Sequence, residues 1–348
     1  MRAALQVAAP GLMTTLQDLG RSGHLRLGVP VSGALDHVSL RIANLLVGNP
    51  AGMGALEIAY HGPTLKVEAD SVRVALAGGT ATLEILADDA GSPGLRVQAF
   101  ESVRLTRGQT LKIGALAGSA VAYLAVEGGF DVGCVLGSQS TLVRGGIGGF
   151  NGRALQAGDA LPLRQPAAAE RQEMRLPRPD LSLPSRVRIV LGPQDDHFTQ
   201  AGLRTLLDSE FVISQASDRM GMRLDGPVLE HSRKGYNIVS DGTALGSIQV
   251  PGNGLPIILL ADRQTTGGYP KIATVISADI PGLGRLRPGA RIGFEAVDID
   301  AAESAARELA AAIDAMAMRQ EPAQRQTMID AALLLQENLV SGVVSARE

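Results

Sequence analysis

The chain has 348 residues, no tryptophan, 3% aromatic residues and a net charge of -3, so it offers neither the basic surface nor the stacking platforms of a nucleic-acid binder. Its 45% hydrophobic content is enough for two cores rather than one. No stretch reaches the roughly 18 apolar residues of a membrane helix. The first residues make a poor signal peptide, and a cytoplasmic location is the expectation.

The 42 glycines and 18 prolines cut the apolar runs into short pieces, which predicts a mainly β chain with many turns. In the first half, strands are expected over 65–69, 71–76, 103–105, 111–113 and 120–126. One helix stands out over 36–47: Asp36 caps it, and Val38, Ile42, Leu45 and Leu46 share a face. Cys134 is the single cysteine; its apolar setting reads as a small buried core residue. Pro166, Pro177, Pro179 and Pro184 punctuate a charged stretch that reads as a linker over 166–185. This divides the chain into 1–165 and 186–300.

The second half predicts strands near 186–191, 211–214, 257–260, 273–276 and 291–294, and a short helix over 198–207. Asp195-Asp196-His197 reads as a turn into that helix with a capping aspartate. From 301 onward the chain turns alanine-rich. Leu309, Ile313 and Met316 fall at helical spacing over 301–318, Pro322 breaks the helix, and 325–338 is helical again. The 301–348 extension is expected to pack on the body of the protein or on a neighbouring protein.

Four polar segments carry possible chemistry. Thr14-Thr15-Leu16-Gln17-Asp18-Leu19-Gly20-Arg21 brings a carboxylate close to a guanidinium. Arg21 either clamps an anion or pairs with Asp18 at a turn. The glycine-rich tract over 144–153 reads as a flexible loop whose amides can cradle an anion, but no P-loop lysine follows it. Ser217-Asp218-Arg219-Met220-Gly221 repeats the pairing of an aspartate with an arginine. Asp262-Arg263-Gln264-Thr265-Thr266-Gly267-Gly268-Tyr269-Pro270-Lys271 directly follows an apolar run. Burying such groups unpaired costs about 1–3 kcal/mol each. Either they satisfy one another at a rigid turn, or they face a ligand. The five histidines are scattered, so no metal ligand set is expected.

These clusters also carry a family resemblance. Residues 14–21, Gly28-Val29-Pro30 through Asp36, and Ala43-Asn44-Leu45-Leu46-Val47-Gly48-Asn49 resemble the opening of the allophanate hydrolase subunit 2 family. That family takes in the C subunit of 5-oxoprolinase, the KipI antagonist and part of the carboxyltransferase region of urea amidolyase. Leu56-Glu57-Ile58 with Gly62-Pro63, residues 137–141, Ser217 through Gly221, Gly246-Ser247-Ile248-Gln249-Val250-Pro251 and the Asp262 segment agree with it. The resemblance covers about residues 3–297.

It implies two cyclophilin-like β-barrel domains, over 1–165 and 186–300. It also implies ATP-dependent opening of 5-oxoproline to glutamate by a complex with a subunit 1/B (KipI-like) protein and the A subunit of 5-oxoprolinase. ATP is then bound wholly or partly on a partner. Together with the polar clusters, the resemblance points to Asp262, Arg263 and Arg219 as catalytic residues. The substrate-binding set is Gln17, Asp18, Arg21, Asp218, Gln249, Asn253, Gln264, Thr265, Thr266, Tyr269 and Lys271. Two alternatives stay open: an allophanate hydrolase/urea amidolyase-type carboxyltransferase component, and a non-catalytic regulatory antagonist of a KipI-like kinase inhibitor. Lys66, Lys112, Lys234 and Lys271 lack methionine neighbours, so no biotin attachment site is expected here. Gln139, Leu255 and Arg285 depart from the family's usual residues and leave room for a different substrate.

Overall fold

The computed structural model describes residues 3–86 and 94–323. The predicted helix over 325–338 lies outside the described residues. The first half contains β1 (Ala4–Ala9), β2 (Met13–Gln17), α1 (His37–Leu46), β3 (Ala55–Ala59), β4 (Thr64–Val67), β5 (Ser71–Ala77) and β6 (Thr82–Leu86). It continues with β7 (Leu95–Gln98), β8 (Ser102–Thr106), β9 (Thr110–Ile113), β10 (Val121–Val126) and β11 (Ala160–Pro162). These strands make two antiparallel sheets, ordered β11-β1-β4-β9-β6-β7 and β2-β3-β10-β5-β8. Leu5, Leu65, Leu83 and Ile113 of one sheet meet Leu56, Val74, Leu76 and Leu124 of the other in a shared core.

β5 and β10 are buried along their whole length because both faces of their sheet are covered. Val72, Val74 and Leu76 point into the inner core, while Ala75 and Ala77 point to a second cluster beneath α1. That alternation is the ordinary period of a strand. Asp36 caps α1 by accepting from the amides of Val38 and Ser39, both at 3.1 Å. Leu40, Ile42 and Leu46 bury the inner face of α1, worth roughly 1.5–3 kcal/mol each.

The 166–185 stretch is packed rather than free. Arg73, 1% exposed, holds Glu173 at 3.0 Å, and Leu176 is buried. Within it β12 (Met174–Arg175) is a short strand. The second half then brings β13 (Val187–Leu191), α2 (Gln200–Asp208), β14 (Glu210–Ile213), β15 (Gly221–Asp225), β16 (Asp241–Gly242) and β17 (Ser247–Gln249). β18 (Ile257–Leu259), β19 (Thr266–Gly267), β20 (Lys271–Val275), α3 (Ile280–Arg285) and β21 (Arg291–Ala296) complete it. Seven of these strands close a barrel in the order β13-β20-β17-β18-β15-β14-β21, sealed by parallel pairing of β13 with β21. A barrel has no free edge, which suits strands as short as three residues.

The long helix α4 (Ile299–Met316) follows, capped by Asp298 on the amide of Ala301. Leu309, Ile313 and Met316 pack on the cluster beneath α1, as their spacing predicts. β22 (Glu321–Pro322) pairs with β12. Three local expectations change. Cys134 is exposed, because residues 132–137 form a surface loop closed by Val135 and Ser138 rather than a strand. The cap of α2 is Thr199, whose hydroxyl accepts from Gly202, not an aspartate. The glycine tract is a compact turn whose Gly148 and Gly149 have φ of +67° and +54°.

Candidate functional site: a charged seam and a polar barrel end

The two halves meet along a chain of polar contacts. Asp262 lies just past β18 and accepts from Arg219 at 2.8 Å (Nε) and 3.2 Å (Nη2), and from the Ser32 hydroxyl at 2.5 Å. Arg219 also donates to Glu57 and to the Gly33 carbonyl. Glu57 accepts from the Tyr123 hydroxyl at 2.5 Å and from the Leu35 amide at 3.0 Å. The Tyr123 oxygen accepts from the Asp36 amide at 2.9 Å, and Asp36 pairs with Arg285 at 2.6 Å. From Asp262 to Arg285 the chain of contacts therefore crosses between the halves twice.

Burial works against the Arg219 charge, but Glu57 and Asp262 outweigh it and push its pKa above the ordinary arginine range. Burial first, and then the Glu57 charge, push the Tyr123 hydroxyl well up, so it stays a neutral donor. Beside this chain lies a cleft of about 510 Å³ between the halves. Arg219 and Asp262 lie among its polar lining, with apolar walls that include Met13, Val121, Met222 and Leu283. Arg144 and Asp218 also line it, forming an exposed pair at 3.4 Å from opposite halves. Arg219 is shared by two carboxylates, so it braces the seam rather than offering a free positive charge to an anion.

Six expected residues gather elsewhere, at one end of the closed barrel. Gln264 Nε2 donates to Gln249 Oε1 at 2.9 Å, and Gln249 Nε2 donates to the Tyr269 carbonyl at 3.3 Å. The Thr265 carbonyl accepts from the Thr243 amide at 3.1 Å, and Thr266 pairs with Gly242 in the β16–β19 ladder. Lys271, 2% exposed, places its ammonium 3.0 Å from Asp241, whose pKa falls chiefly through that bond. The buried Gln249 amide, the half-buried Gln264 amide, the buried Lys271 ammonium, and the exposed Thr266 and Tyr269 form a polar surface able to bind a small polar molecule.

The remaining residues separate from both groups. Gln17, Asp18 and Arg21 are buried inside the first half. Asp18 does not pair with Arg21. Its carboxylate accepts from the Ser138 hydroxyl at 2.6 Å, the Gln139 amide at 2.6 Å and the Ser140 hydroxyl at 2.5 Å. Arg21 donates to the Ser140 carbonyl, and Gln17 to the Thr141 carbonyl at 3.0 Å. A side chain on Gly148 would meet Ser140 O at 2.2 Å and Arg21 Nη2 at 2.7 Å, so glycine there lets the tract close on that motif. Asn253 is an exposed turn residue whose side chain accepts from the Leu255 amide at 3.2 Å. Arg263 points away from the cleft into a different cavity.

Sequence reasoning missed Glu57, Tyr123 and Ser32 as members of the seam. A signal for Glu57 was present: it is a lone carboxylate in the apolar strand β3, the same anomaly that marked Asp262. Arg285, noted as a departure from the family pattern, is a seam residue too.

Residues 27–296 match the family model "Carboxyltransferase domain, subdomain A and B". The chain belongs to this family. The match takes in the seam from Ser32 to Arg285 and the polar barrel end; Gln17, Asp18, Arg21 and α4 fall outside it. Among carboxyltransferase-domain relatives, the C subunit of 5-oxoprolinase from Escherichia coli (strain K12) is 37% identical over 305 residues, covering 87% of this chain and 94% of that protein. The Haemophilus influenzae protein of the same name is 37% identical over 294 residues, covering 84% and 91%. Urea amidolyase of Saccharomyces cerevisiae is 32% identical over 322 residues, covering 86% of this chain but 17% of that protein. The crystal structure of urea amidolyase from Kluyveromyces lactis superposes with a TM-score of 0.82 at 31% identity, covering 90% of this chain and 20% of that one.

Proposed function

We propose that this chain is the C subunit of an ATP-dependent 5-oxoprolinase, opening 5-oxoproline to glutamate within a complex. Its partners are a subunit 1/B (KipI-like) protein and the A subunit of 5-oxoprolinase. The supporting observation is the extent of the likeness: the 5-oxoprolinase C subunit is matched over 94% of its length, urea amidolyase over 17%. The polar barrel end is the substrate surface in this reading. The Lys271 ammonium exchanges its exposed partner Asp241 for the substrate carboxylate, and Gln264 and Gln249 face the lactam amide. A lactam is a weak electrophile, so donors that strengthen as charge develops on its oxygen are what lower the barrier.

ATP is assigned to a partner protein. In support of this, the amides of Gly145, Gly146, Ile147, Gly149 and Gly152 in the glycine tract already donate to backbone carbonyls. The test is reconstitution of the complex and measurement of ATP-dependent glutamate release. Lys271→Met and Gln264→Leu are each expected to lower turnover by at least about tenfold, on the scale of lost transition-state donors. Full turnover by both would remove the barrel end from the reaction. The urea amidolyase superposition favours a second reading, carboxyl transfer, which predicts instead that turnover depends on a biotin-bearing protein.

A further inference from the structure

Asp262 and Arg263 are neighbours in sequence but line different cavities. Arg263 borders a space of about 310 Å³ on the other side of Leu35 and Leu260, which line both cavities. His37 and Arg41, one turn apart on α1, border the same space from the first half of the chain. None of the residues lining it is acidic.

Arg263 is 5% exposed, and its guanidinium makes long hydrogen bonds to the carbonyls of Thr243 (3.4 Å) and Leu260 (3.5 Å). Burial lowers its pKa, and no carboxylate offsets that. Arg41 Nε and His37 Nδ1 are buried without a hydrogen-bond partner. Burial is also the main effect lowering the His37 pKa, which keeps the ring neutral. The nearby Asp36 is already committed to the helix cap and to Arg285. Two guanidinium groups and an imidazole thus border one space whose lining supplies no counter-charge, and the buried Arg263 charge calls for a partner. Leu19, Val31, Leu245 and Ile280 make much of the remaining wall apolar.

We propose that this cavity binds a small organic carboxylate, with its carboxylate group on Arg263 and Arg41 and its hydrocarbon part against Leu245 and Ile280. Guanidinium groups bind carboxylates through paired, charge-assisted hydrogen bonds. The apolar wall and neutral imidazole suit a singly charged carboxylate with a short carbon body better than the more strongly hydrated phosphate. This site is separate from the Lys271 cluster, so it stands whether or not that cluster binds 5-oxoproline.

The test titrates the full-length chain calorimetrically with butyrate and, separately, with inorganic phosphate. Butyrate is expected to bind, at least tenfold more weakly to Arg263→Gln and Arg41→Gln, and unchanged to Arg144→Gln at the cleft. Crystals of the unmodified chain soaked in 3-bromopropionate provide a readout that needs no variant: the bromine anomalous peak should lie beside Leu245 and Ile280. The proposal is overturned by phosphate binding in preference to butyrate, by unweakened butyrate binding to Arg41→Gln, or by a bromine peak absent from the cavity.

Discussion

Replacing Arg219 by alanine tests the seam most directly. The substitution removes the one cation shared by Glu57 and Asp262, whose side chains are 5% and 8% exposed. At that burial neither carboxylate can be rescued by water. Breaking a buried pair by deleting one member costs about 3–5 kcal/mol, because an uncompensated charge stays behind. At roughly 2–4 °C per kcal/mol for a cooperative unit of 150–250 residues, melting should fall by roughly 6–20 °C. Differential scanning calorimetry reads this, and urea unfolding with unchanged m shows that the loss is in stability alone. Arg144→Ala is the control. Its pair with Asp218 is 69% and 51% exposed, so it should cost no more than about 1 kcal/mol. The triple variant Glu57→Gln, Arg219→Met, Asp262→Asn removes the charges together and should recover much of the loss. An Arg219→Ala protein melting within about 2 °C of the unmodified chain would refute the brace.

Two further substitutions probe other parts of the fold. Gly284→Ala places a Cβ 2.6 Å from the Leu35 carbonyl across the seam, and should destabilise by about 1–3 kcal/mol through overpacking, visible as a lower urea midpoint. Asp159 is held below the usual carboxylate range, first by its hydrogen bond from Arg153. Its folded pKa lies below the unfolded one, so its stabilisation is complete above about pH 4 and is lost as pH falls through the folded value. Asp159→Asn should therefore melt below the unmodified chain at pH 7, with the gap narrowing in acid; a gap that does not narrow as pH falls below about 4 would contradict the assignment.

How much of this was legible in the sequence depended on whether the cause was local. α1 was readable because its cap and apolar face lie within one short segment, and α4 because Leu309, Ile313 and Met316 repeat at helical spacing. The polar run after β18 was readable as an anomaly, but its partners were not. Glu57 lies 162 residues from Arg219 in the chain and Ser32 lies 230 from Asp262, so only the tertiary fold brings them together. Asp262 and Arg263, adjacent in that run, part in space. Both follow the end of β18 in a turn, and they line different cavities. Cys134 shows a different limit: apolar neighbours do not distinguish a strand in the core from a loop that ends on the surface.

Whether the seam behaves as one unit or as several separate contacts can be measured. Glu57 and Arg285 do not bond to each other, but the chain of contacts joins them through Tyr123 and Asp36. Tyr123 is 0% exposed, so its hydroxyl has no solvent to replace either partner. If Glu57 is neutralised, that hydroxyl loses a charged acceptor at 2.5 Å, and its hold on the Asp36 amide changes with it. Asp36 in turn positions both the α1 cap and Arg285. A double-mutant cycle of Glu57→Gln with Arg285→Gln should therefore show a coupling of about 0.5–3 kcal/mol, the range for residues in one network. Independent contacts would add within about 0.3–0.5 kcal/mol. Additivity on that scale would mean that the two crossings of the seam hold the halves together separately, and that Tyr123 fills space between them without linking them.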